Sequence, residues 1–122
     1  MPLESAAWIA TGVRYRDDPT ADPPNKTLQR LPRNAVIVWA VIYTNPGAAR
    51  KQKPIRLTLT AAKRFDCCEA AAAAGGEWEL TGAGLGRAYS VIVRIYFGSR
   101  PTSAMRAQAQ RALNQLKLPS PQ

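Results

Sequence analysis

The stretch Asn34–Thr44, NAVIVWAVIYT, decides the fold. Its two alternating sets, Ile37, Trp39, Val41 and Tyr43 against Val36, Val38 and Ile42, are both apolar. Successive side chains of a β-strand point to opposite faces, so a β-branched run apolar on both sides predicts a central strand covered on both faces. Asn45-Pro46-Gly47 then ends it with residues suited to a turn.

Working outward, Tyr89–Gly98 (YSVIVRIYFG) predicts a second long strand. Val91, Val93, Ile95 and Phe97 share one face, and Ser90, Ile92, Arg94 and Tyr96 form a more amphipathic one. Glu77–Thr81 (EWELT) and the glycine-rich Gly82–Gly86 precede it, which reads as a β-hairpin. Ile55–Thr60 alternates with Ile55, Leu57 and Leu59 inward and Arg56, Thr58 and Thr60 outward. That pattern predicts a half-buried strand, pairing with the central one as a hairpin with a long basic tip.

Ala6–Arg16 reads as a strand interrupted at Gly12, with Trp8, Ala10, Gly12 and Arg14 opposite Ile9, Val13 and Tyr15. Asp17–Pro32 carries Pro19, Pro23, Pro24 and Pro32 and is expected to run extended over the surface. Asp66–Ala74, DCCEAAAAA, before Gly75-Gly76 fits either a short helix or an ordered loop. At the C-terminal end Thr102 is a good N-cap, Pro119 a stop, and Met105, Ala109, Ala112, Leu113 and Leu116 recur at helical spacing.

These elements give an α+β fold: a small, mostly antiparallel sheet of four to five strands packed by a C-terminal α-helix. The 122 residues read as one domain, with 1–33 partly extended and Pro-rich, 34–98 the sheet and 101–118 the helix. A chain of this size buries roughly two-thirds of its unfolded surface. With 46% apolar residues it needs neither metal nor disulfides to build a core.

Lys and Arg number 17 against 8 Asp and Glu, a formal charge of +9, which attracts polyanions without selecting one. Histidine is absent, which excludes Ser-His-Asp and Cys-His catalysis, His-ligated metals and an imidazole pH switch. The longest apolar run, Ala35–Tyr43, is far shorter than the ~20 residues of a membrane helix, so no transmembrane segment is expected. The opening Met1-Pro2-Leu3-Glu4 does not read as a secretory signal.

Cys67-Cys68 supplies two sulfurs, too few for a zinc site without histidine, and Asp66 and Glu69 would make an unusual ligand set. Thr81–Arg87 looks like a phosphate cradle, but a β-branched segment follows where a dinucleotide fingerprint requires a helix. A hairpin loop is the better reading. Glu77 and Glu79, two apart on a strand, point the same way, as a glycosidase pair would. With Trp78 and Leu80 inward, the simpler expectation is a wet outer face. Asp17-Asp18 reads as loop solvation. No catalytic residue, metal or cofactor is expected.

The basic residues form a local cluster at Arg50, Lys51, Lys53 and Arg56, with Lys63, Arg64, Arg87, Arg94 and Arg100 elsewhere. Were the two hairpin loops adjacent, this cluster would become a binding patch, and nucleic acid would stack on Tyr15 or Tyr96.

Tyr89–Pro119 resembles the ending of poorly characterised domains of high-GC Gram-positive bacteria. Those domains close with a strand finishing in a Tyr-Phe-Gly turn, a proline, and a helix of pattern A-x-x-x-L-x-x-L-x-x-P. Leu31–Tyr43 is similar to their earlier L-P-x-x-x-V-x-V strand. The resemblance implies an extracytoplasmic or membrane-associated setting and transfers no catalytic residue. Read from the chain's own beginning, without that resemblance, the setting would be cytoplasmic. The resulting expectation is a non-enzymatic binding or scaffold module of the bacterial envelope, whose partner is a protein or an anionic polymer. A basic cytoplasmic nucleic-acid-binding protein is the alternative.

Overall fold

A computed structural model of the chain describes residues 3–18, 24–29, 31–64, 76–84, 89–99 and 101–116. The elements are β1 (Leu3–Thr11), α1 (Asn25–Leu28), β2 (Val36–Thr44), α2 (Ala48–Lys51), β3 (Lys63–Arg64), β4 (Glu77–Ala83), β5 (Tyr89–Phe97) and α3 (Ser103–Gln115). The five strands form one sheet in the order β1-β2-β5-β4-β3, every neighbouring pair antiparallel. The α+β architecture is as the sequence predicts.

β2 and β5 lie together near the middle, in unbroken register from Val36 opposite Phe97 to Thr44 opposite Tyr89. Their residues are the most completely apolar on both faces, and only interior strands offer cover on both. On one face Val36, Val38, Ala40 and Ile42 pack with Val91, Val93, Ile95 and Phe97 beneath Met105, Ala109, Ala112 and Leu113 of α3. On the other, Ile37, Trp39, Val41 and Tyr96 are buried with Leu28, and Val13, Tyr15 and Leu31 pack beside them.

The Pro-rich connection therefore differs from expectation. At its described ends it is a lid on the second face rather than a surface strap, because Ile37, Trp39 and Tyr96 would otherwise face water. β1 also belongs to the sheet, so the sheet is not confined to residues 34–98. The strand ends at Thr11, where Gly12 takes φ +76°, a left-handed conformation that L side chains avoid. That turn breaks the alternation: Ile9 stays on the α3 side, whereas Val13 and Tyr15 cross to the face of Ala6 and Ala10.

Ile55–Thr60 is the second correction. It does not pair with β2 as a hairpin. A single parallel bridge joins Pro54 to Ala83, with Ile55 N donating to Ala83 O and Ala83 N to Lys53 O, each at 2.9 Å. The chain then turns through a short 3₁₀ segment, Leu59–Ala61, into β3. Ile55, Leu57 and Leu59 still pack inward against the core. The alternation thus reported correctly which side chains are buried, but burial there comes from lying over the sheet beside α3.

Gln110 joins helix and crossover, its Oε1 accepting from Leu59 N at 2.8 Å and its Nε2 donating to Leu57 O at 3.2 Å. α3 starts at Thr102, whose hydroxyl accepts from Met105 N at 3.2 Å while Thr102 N donates to the Met105 sulfur. The helix closes at Leu116. Asp66–Ala74, Cys67 and Cys68 included, lies outside the described residues, as do Leu85–Ala88 and Arg100.

Candidate functional site: a basic ridge along β4

After β2 the turn Asn45-Pro46-Gly47 starts α2, which carries Arg50 and Lys51. A short polar chain fixes this corner. Asn45 Nδ2 donates to Ser90 Oγ at 2.8 Å, and Ser90 Oγ donates to Gln52 Oε1 at 2.6 Å. Ser90 is buried on β5, so the start of the basic segment is tied to an interior strand. Lys53 and Arg56 follow on the crossover and Lys63 and Arg64 on β3, which pairs with β4 through Lys63 opposite Glu79 and Arg64 opposite Trp78.

Six cations, Arg50, Lys51, Lys53, Arg56, Lys63 and Arg64, thus occupy a run that contains no acidic residue from Ala48 to Arg64. All six are exposed. The crossover approaches β4 so closely because residue 82 is glycine: a Cβ there would stand 2.7 Å from Lys53 O and 2.8 Å from Ile55 Cα. Arg56 and Lys63 share a shallow depression of about 220 Å³ with Pro54, Ala61, Glu79, Leu80 and Thr81. Arg64 lies over the Trp78 ring, its guanidinium carbon 5.9 Å from the ring centre.

The predicted cluster Arg50, Lys51, Lys53 and Arg56 is therefore brought together and extended by Lys63 and Arg64. Sequence reasoning named those two separately; the pairing of β3 with β4 joins them. Arg94 does not belong to the ridge. It lies on β5 beyond Glu79, largely buried and already paired: Nε donates to Glu79 Oε2 at 3.2 Å and the guanidinium sits 5.8 Å from the centre of Trp39. Arg87 and Arg100 lie outside the described residues.

The glutamate pair is a further correction. Glu77 and Glu79 do point the same way, but Glu77 is only 2% exposed, so this is no wet face. The cause is position: β4 lies next to β5, and Glu77 sits opposite the fully buried Tyr96. Among the described residues no three metal-ligating side chains come together, and no helix is long and apolar enough to cross a membrane.

The aromatic residues expected to stack bases are occupied. Tyr96 is fully buried, and Tyr15 stacks in parallel on Trp8 with ring centres 4.4 Å apart. Burial, followed by the charges of Asp17 and Asp18, pushes the Tyr15 hydroxyl up to about 12, so it stays protonated at neutral pH. Among the described residues both sheet faces are covered over their central strands, and these strands offer no open platform of the kind single-stranded nucleic-acid binders use.

Comparison with known protein families, with characterised proteins and with solved structures gives no match.

Proposed function

We propose that this chain is a non-enzymatic binding module of the bacterial envelope whose ligand is an anionic polymer, gripped along the basic ridge. One observation carries this reading. Arg50, Lys51, Lys53, Arg56 and Lys63 project from a segment anchored to the core, and among the described residues no carboxylate pairs with them. A cation already paired gains little from a new anion; an unpaired one gains an attraction reinforced by its neighbours. The envelope setting rests on the resemblance of Tyr89–Pro119 to extracytoplasmic domains. The covered sheet and occupied aromatics favour charge-based grip over base stacking.

The test is fluorescence anisotropy with labelled poly(glycerol phosphate), and with single- and double-stranded DNA, at low and physiological salt. Micromolar binding of poly(glycerol phosphate) at physiological salt supports the proposal. Contact of all five cations with a flexible strand would give a log–log salt slope of roughly −3.5. Charge reversal at Arg50, Lys51 and Lys53 should abolish it. Much tighter binding of DNA would replace the envelope polymer with nucleic acid. Binding only at low salt would reduce the charge to a solubility property and overturn the proposal.

A further inference from the structure

At the other end of the sheet a second set of cations converges on a frame of its own. Past Gly12 burial alternates: Val13 and Tyr15 pack inward, and Arg14 and Arg16 are exposed between and beyond them. Lys26 arrives from α1. The two segments are clamped at short range: Arg16 N donates to Thr27 Oγ1 at 2.8 Å, and the Asp17 carboxylate accepts from Lys26 N at 3.0 Å and Thr27 N at 2.7 Å. The Thr27 hydroxyl also donates to Asp17, and Thr27 is buried. Gly12, Val13, Arg14, Arg16, Lys26, Thr27 and Pro32 line the resulting depression of about 290 Å³. Neither Asp17 nor Asp18 lines it.

We infer that this depression is a separate site for a phosphate monoester. Three cationic residues line it, and a phosphomonoester carries about −1.5 to −2 charges at neutral pH with three strong acceptor oxygens. Two exposed arginines two residues apart offer forked donors to those oxygens. The volume is about ten times a water's ~30 Å³ share of the liquid, enough for a phosphate and a small alcohol or sugar. Asp17 keeps its charge but turns its oxygens to the α1 backbone and Thr27 and does not line the depression, which leaves the three lining cations in excess over it. The site is independent of the ridge. Gly12 and Pro32 adjoin the Val36 end of β2; α2 adjoins its Thr44 end, a strand length of roughly 30 Å away, and Lys63 and Arg64 lie on β3, three strands across the sheet.

The ester is either a free metabolite or a lipid headgroup, and two arms separate them. Amide chemical shifts of the full chain are followed against glycerol phosphate in solution, and co-sedimentation is measured with phosphatidic acid vesicles. Saturable shifts at Arg14, Arg16, Lys26 and Thr27 with glycerol phosphate identify a free ester. Vesicle binding without them, lost in the variant below, identifies the headgroup. The Arg14→Gln/Arg16→Gln variant alters exposed side chains only and should lose at least about tenfold in affinity. Charge reversal at Arg50, Lys51 and Lys53 should leave this site intact while removing polymer binding, so failure of one proposal is told from failure of the other. Unsaturated shifts, shifts confined to the ridge, or equal binding by the Arg14→Gln/Arg16→Gln variant would overturn the inference.

Discussion

Replacing Gly82 with alanine tests how the basic ridge is held. The added Cβ would meet Lys53 O at 2.7 Å and Ile55 Cα and N at 2.8 Å, against an ordinary limit of 3.4 Å. All three are backbone atoms, which cannot rotate away, so the crossover must retreat by about 0.7 Å from β4. The two hydrogen bonds between Lys53–Ile55 and Ala83, both 2.9 Å, would lengthen to the edge of usefulness. Their loss costs about 2 kcal/mol, and residual overpacking adds about 1 kcal/mol. Alanine's smaller unfolded-state entropy returns about 0.5 kcal/mol. The expected net destabilisation is about 2–3 kcal/mol, or a melting temperature lowered by roughly 8–12 °C. Urea unfolding gives the total, and amide hydrogen exchange locates it. Ile55 and Ala83 should lose protection well before the amides of β2 and β5, and polymer affinity should fall as Lys53 and Arg56 lose their placement. A variant as stable as the parent, with Ile55 and Ala83 still protected, would refute the claim that this contact fixes the ridge.

Three further outcomes concern the C-terminal helix and the second face of the sheet. Gln110→Ala removes both side-chain bonds from α3 to the crossover and should cost about 1–2 kcal/mol in urea unfolding, with exchange accelerated at Leu59. Thr102→Ala removes the helix cap and should cost about 1 kcal/mol, read in the same unfolding experiment, with fraying confined to the first turn of α3. Tyr15 ionises at about 12 in the folded protein and near 10 when unfolded, so the unfolded chain loses its proton first as pH rises. Stability should therefore fall from about pH 10 to 12, and Tyr15→Phe should flatten that part of a pH-dependent denaturation curve.

Much of the fold was legible in residue order because its signals are local or strongly periodic. Asn34–Thr44 is apolar on both faces, which demands a central strand, and Tyr89–Gly98 alternates strongly enough to demand a long strand; β2 and β5 occupy adjacent interior places in the sheet. The C-terminal helix carried its own cap and a regular apolar stripe. Arg50, Lys51 and Lys53 were bound to cluster, being neighbours in sequence.

The rest depended on packing between distant segments, which periodicity does not encode. Alternation at Ile55–Thr60 marks a buried side but is silent on what does the burying, so an unpaired crossover looks like a strand. Glu77 has the sequence context of an exposed edge, yet its place opposite Tyr96 buries it. Gly12 was visible as an interruption, but only its backbone conformation moved Tyr15 from one face to the other. Sequence by itself determined that Asn34–Thr44 is a central strand, where the last helix begins, and that positive charge is in excess. Tertiary structure alone decided that Lys63 and Arg64 join the ridge and that Lys26 meets Arg14 and Arg16, because charges far apart in sequence become neighbours only when strand pairing and a closed lid bring them together.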